Sequence, residues 1–199
     1  MSLDALRTAE QAVARFPGEL PPRVLLIELL SPVKLGFSHQ WRPEIEAYLR
    51  DFGGRPEAVA LLAELAGRKG WVDLARTLYE VEANHPQNLS LLALYYGDAL
   101  SYFPAHLAEL GQLLAQIEAQ IPESNAAFMV QLRQRQVIAA AARGDHDAAR
   151  EYARRLAATL HGDPDAVEGC RHVFQKIGIP EAVAELTARA VAVKAPPKK

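Results

Sequence analysis

Apolar residues along this chain return at three- and four-residue steps over long stretches, and Gly, Pro or Asn interrupts them at nearly regular intervals. Leu6, Ala9, Val13 and Phe16 make the first such stripe, which predicts a helix from about Leu3 to Phe16. Pro17-Gly18 ends it, because proline disfavours helix in the residue before it and glycine permits the turn. A second helix is expected from Pro21-Pro22, since proline is tolerated in a first helical turn. Its octet "RVLLIELL" is nearly all apolar and should be buried between neighbours, ending near Ser31-Pro32. "VKLGFSHQWR" breaks the pattern and reads as a loop, followed by a third helix, "PEIEAYLRDF", that stops at Gly53-Gly54. From Pro56 onward the spacing predicts helices over 56–69, 71–84, 88–102, 104–120, 124–143, 145–161, 164–177 and 180–193. No segment alternates in polarity as a half-buried strand would.

The later helices pair into hairpins. The clearest copies are "RPEAVALLAELAGRKGWVDLARTLYEVEANHP" and "NAAFMVQLRQRQVIAAAARGDHDAAREYARRLAATLHGDP". Each is an Ala/Leu-rich helix, a turn centred on Gly70 or Gly144, and an amphipathic helix that stops near Pro86 or Pro164. Recurring helical hairpins of this length are the pattern of an α-solenoid. Composition agrees: the chain is 50% hydrophobic but only 7% aromatic, and Ala and Leu suit close-packed helices better than sheets. The sequence reads as one domain over 1–193, with an irregular part over 1–53, regular hairpins over 56–193, and a disordered basic Pro/Lys tail over 194–199.

Charge narrows the partner class. A formal net charge of -2 supplies no global basic field, so neither nucleic acid nor an anionic membrane surface is expected as a partner. No apolar run approaches the ~18 residues needed to span a bilayer. The single cysteine, Cys170, cannot form an internal disulfide, and the start "MSLDALRTAEQAVARF" lacks a signal-peptide pattern, so a cytoplasmic setting is expected. The six histidines do not pair with one another or with Cys170 on one helical face, so no metal or other cofactor is expected. No Gly-x-Ser-x-Gly elbow or Gly-rich phosphate loop occurs, and the chain is not expected to be an enzyme.

The hairpins resemble tetratricopeptide repeats. Ala75 follows Gly70, and Ala149 follows Gly144, at the spacing where that family places a small residue for a close helix crossing. Tyr79 matches the aromatic position one turn later, and Pro86 and Pro122 match the family's punctuation. The departures are Ala153 at the second aromatic position, Val183 where Ala is usual, and "SYFPAH" in place of a glycine turn. The first helices of the hairpins also lack the family's usual Trp and Gly. The resemblance implies an all-α, right-handed α-α superhelix of about five hairpins with one extra N-terminal helix. That helix reads either as a cap or as the second half of a hairpin from a longer repeat protein.

In such stacks first helices line a concave groove. The resemblance thus places Glu57, Ala60, Glu64 and Arg68, then Leu92, Tyr95, Ala99 and Tyr102, then Gln131, Gln134 and Ile138, then Asp165, Glu168, His172 and Gln175 along it. Arg68, Leu92, Tyr95, Tyr102, Gln131, Gln134 and His172 are the candidate partner contacts in this groove. Phe37 and Trp41, in the irregular loop, either plug the stack or form a second contact surface. The run "QLRQRQ" is expected to be a solvated face or a polar strip against a peptide, and Glu151 with Arg155 is expected to form an i,i+4 pair. The family's carboxylate-clamping Lys/Asn set is not visible. The expected function is capture of a protein or peptide partner by a non-catalytic scaffold. Self-association into a homodimer, through the open ends or the Phe37/Trp41 loop, is the alternative, and a small-ligand sensor or enzyme comes third.

Overall fold

The structure, a computed structural model, describes residues 3–31, 41–82, 89–122, 124–160 and 163–194. They form α1 (Leu3–Arg15), α2 (Leu20–Leu30), α3 (Trp41–Phe52), α4 (Pro56–Lys69), α5 (Val72–Glu82), α6 (Leu89–Leu100), α7 (Leu107–Gln120), α8 (Ala126–Ala142), α9 (His146–Thr159), α10 (Pro164–Ile177) and α11 (Pro180–Lys194). A 3-10 turn, Pro104–His106, leads into α7, and no strand occurs among the described residues. The chain is therefore all-α.

Helix ends follow local chemistry. Asn125, Asp145 and Asp163 cap α8, α9 and α10, each accepting a backbone N–H from the first turn. Three hairpin turns share one C-terminal geometry. The N–H of Trp71, Asp145 and Ile179 donates to the carbonyl of Ala66, Ala140 and Phe174, at 2.9, 3.0 and 2.9 Å. The residue before each donor is a glycine at positive φ: 68° at Gly70, 74° at Gly144 and 80° at Gly178. Such a backbone is strained for any residue with a Cβ.

Two of the boundaries that differ from expectation bear on the candidate residues. Trp41 and Arg42 belong to α3 rather than to the loop, so Pro43 is the third residue of the helix, still within the turn where a missing N–H costs nothing. The helix α6 stops at Leu100 instead of Tyr102. Phe103 precedes Pro104 and is held extended at φ -126°, ψ 118°, as proline requires of its neighbour.

Close contacts gather in two compact units, 1–96 and 97–199, with the division inside α6. The first unit buries Leu20, Ile27, Ile45, Tyr48, Leu62, Leu65, Leu78 and Leu92 from five helices. Its largest fully buried side chain, Tyr48, donates its hydroxyl to the Ala58 carbonyl at 3.0 Å, and burial pushes its pKa up to about 12. A satellite cluster of Ala9, Leu26 and Leu30 docks α1 on α2. The second unit buries Val137, Leu156, Val167, Phe174, Ile179 and Leu186. Ala140, Ala149, Ala153 and Ala182 are fully buried there, and their small side chains let helix axes approach. Ala75 plays the same part on α5.

Candidate functional site

The second unit joins three helices side by side. Arg135 of α8 donates from Nε and Nη2 to the two carboxylate oxygens of Asp98 in α6, both at 2.7 Å, a bidentate pair. From the adjacent position, Gln134 Nε2 donates to Cys170 Sγ of α10 at 3.1 Å. The helix α9 packs closely on α8 and α11, whereas α6, α8 and α10 are joined through these side-chain bonds.

The face along which these three helices are joined carries several of the expected contacts. Tyr102 follows Asp98 by four residues, in the turn beyond α6, and is 58% exposed. Phe103 beside it is also exposed, edge-on to the His106 ring at 6.0 Å between centres. Gln131 is exposed, and its carbonyl accepts from Arg135 Nη1 at 3.2 Å. Gln134 is half-buried in the α8–α10 seam, whereas His172, two residues on from Cys170, is exposed on the far side of α10 and off this face. The sequence marks Arg135 only as part of the "QLRQRQ" run and does not mark Asp98, because charges 37 residues apart in the chain give no sign of meeting.

Other expected contacts fall elsewhere. Leu92 is 1% exposed and belongs to the core of the first unit, so it is not a surface anchor. Tyr95 is half-buried against the same core. Its neighbour Tyr96 is buried, stacked on Tyr79 at 5.8 Å, with its hydroxyl accepting from Arg76 Nε at 2.7 Å. Ala99 is fully buried, so the shared face from Leu92 through Tyr102 points inward until the helix ends. Arg68 is exposed in the first unit, where it lies 3.6 Å from Glu28 and 4.0 Å from Glu64. The Trp41 backbone opens α3, and Phe37 lies outside the described residues.

The "QLRQRQ" run is neither a solvated face nor a continuous strip. Arg133 and Gln136 are 6% and 3% exposed. Arg133 Nη1 donates to the Arg155 carbonyl at 3.1 Å and to the Thr159 hydroxyl of α9. Gln136 Nε2 donates to Glu118 of α7 at 2.9 Å. Arg155 also pairs with Glu118 rather than with Glu151, which is taken by Arg154 at 2.7 Å. The helices α7, α8 and α9 are thus cross-linked by a polar network around one carboxylate.

Two surface depressions accompany these features. One of about 220 Å³ in the first unit is lined by Arg42, Ile45, Glu46, Asp73, Leu74 and Thr77. One of about 350 Å³ in the second is lined by Gln175, Gly178, Ile179, Pro180, Val183 and Ala184. Among the described residues no three His, Cys, Asp or Glu side chains converge on a metal-sized site, and no helix is long and apolar enough to cross a membrane. Compared with protein-family models, with curated proteins and with solved structures, the chain matches none of them. The class that fold and site define is an all-helical protein with a laterally joined, partly aromatic helix face.

Proposed function

We propose that this chain is a non-catalytic helical-repeat scaffold that captures a protein or peptide partner on the α6–α8–α10 side of its second unit. The observation that carries the reading is Tyr102, an aromatic side chain 58% exposed, four residues on from the Asp98 carboxylate that Arg135 holds; Gln131, one turn before Arg135 on α8, is also exposed. Rigid aromatics beside fixed hydrogen-bonding groups are the usual anchors of recognition surfaces. The polar links that hold α8 in place would keep the ordering cost of binding low. The tetratricopeptide-like superhelix is part of this proposal, supported by the glycine turns and the buried Ala75 and Ala149, and so is a cytoplasmic setting, which rests on the sequence alone.

The test is site-specific photo-crosslinking in the native host, with the photoreactive residue at position 102 and, as control, at the exposed position of Arg150 on α9. A discrete adduct at 102, absent at 150 and lost in a Gln131→Ala, Phe103→Ser background, supports the surface. Identical adduct patterns from both positions refute it.

A further inference from the structure

The outward face of α10 carries a stripe that the partner surface does not use. Asp165, Gly169, His172 and Lys176 follow one another at steps of four, three and four residues, and all four are exposed. That is the spacing of a helix–helix seam. At the helical repeat they fall within roughly 60° of one another, with Asp165 and Lys176 about 16 Å apart along the axis. Above Gly169 the space is open: an added Cβ would meet nothing within 4 Å. Val173, 46% exposed, flanks the stripe.

The charges on this stripe are available. Glu168 and Arg171, which precede Gly169 and His172 and lie on one flank of the stripe, engage each other, with Arg171 Nε donating to Glu168 at 2.8 Å. Among the described residues neither the Asp165 carboxylate nor the Lys176 ammonium has an ion-pair partner. The stripe is acidic at its N-terminal end, basic at its C-terminal end and small in the middle. A two-fold axis between Cys170 and Arg171 inverts that order. It sets Asp165 against Lys176 of the second copy, twice, and sets the open space at Gly169 against His172.

We propose that the occupant of this face is a second copy of the same chain, with α10 packed antiparallel on α10 in an isologous dimer. A foreign helix would have to reproduce the inverted charge order; a second copy does so by symmetry. The seam is one helix of 14 residues with polar ends, so the dimer is concentration-dependent and weakened by salt.

Sedimentation equilibrium of the full chain tests this. Wild type shows a reversible monomer–dimer equilibrium that weakens with added salt. Lys176→Asp and Asp165→Lys each turn two attractive pairs into two repulsive ones, so each alone loses about tenfold in self-affinity. Mixed in equal amounts, the two variants regain a dimer containing one of each. Lys176→Gln, which adds no acid to the helix C-terminus, must also weaken association, and far-UV circular dichroism confirms that each variant stays folded. A wild type that is monomeric up to millimolar concentration overturns the proposal. So does self-association unaffected by all three variants, or a mixture no stronger than its components.

Discussion

The same substitution, glycine to alanine, should act with opposite sign at two positions of the second unit. Gly144 sits at φ 74° with nothing within 4 Å of an added Cβ, so Gly144→Ala meets no clash and its effect is purely one of backbone. A left-handed residue with a Cβ costs about 1–2 kcal/mol, and the reduced freedom of the unfolded chain returns roughly 0.5 kcal/mol. The net loss is about 1 kcal/mol. Gly169 lies inside α10, exposed, also with nothing within 4 Å, and it shows no positive φ. There alanine gains about 1 kcal/mol through helix propensity. The two variants should therefore differ by about 2 kcal/mol, which for a chain of this size separates their melting midpoints by roughly 4–8 °C. Urea unfolding at low micromolar concentration, where self-association does not contribute, reads the difference as a shift in midpoint with unchanged slope. If both variants move the midpoint in the same direction, the left-handed turn after α8 is wrong.

Tyr48 gives a pH signature. Its folded pKa of about 12 lies above the ordinary value of 10.0, so its contribution to stability is complete below pH 10 and is lost as pH rises towards 12. Absorbance titration at 295 nm should show one tyrosine ionising late, and Tyr48→Phe should remove that step. Asp163→Ala removes the cap that accepts the Asp165 and Ala166 N–H groups at 3.0 and 3.2 Å, and should cost about 1 kcal/mol in thermal unfolding. Phe174→Ala empties a fully buried position and should cost about 3–5 kcal/mol; a loss below 1 kcal/mol would mean that this core is not packed as described.

The helices were legible because their signals are local. Proline at the start of α4, α10 and α11, and glycine after α4, α8 and α10, act through the backbone of the residues that carry them. The expectations that failed depend on distant neighbours. Leu92 and Tyr95 share a face with Tyr102 on a helical wheel, but packing against Leu62 and Leu78 fixes which part of that face is inside. The exposure of Tyr102 follows from where α6 stops, two residues earlier than the apolar pattern suggests. Arg133 and Gln136 looked solvated because polar residues usually are. Their partners, Thr159 and Glu118, lie 26 and 18 residues away.

That buried network bears on the surface next to it. The helix α8 is polar on several sides, so apolar contact alone would leave its rotation weakly specified. A buried hydrogen bond has direction, and leaving one unmade costs about 1–3 kcal/mol. Turning α8 by one residue, about 100°, would break the bonds of Arg133 to α9 and of Gln136 to α7 together. It would also swing Arg135 away from Asp98 and Gln134 away from Cys170. The inward-facing polar residues of "QLRQRQ" therefore set the rotation at which Gln131 is exposed and Arg135 reaches Asp98. In this reading the run serves the binding face by fixing it from beneath, with Glu118 as the shared acceptor between α7, α8 and α9.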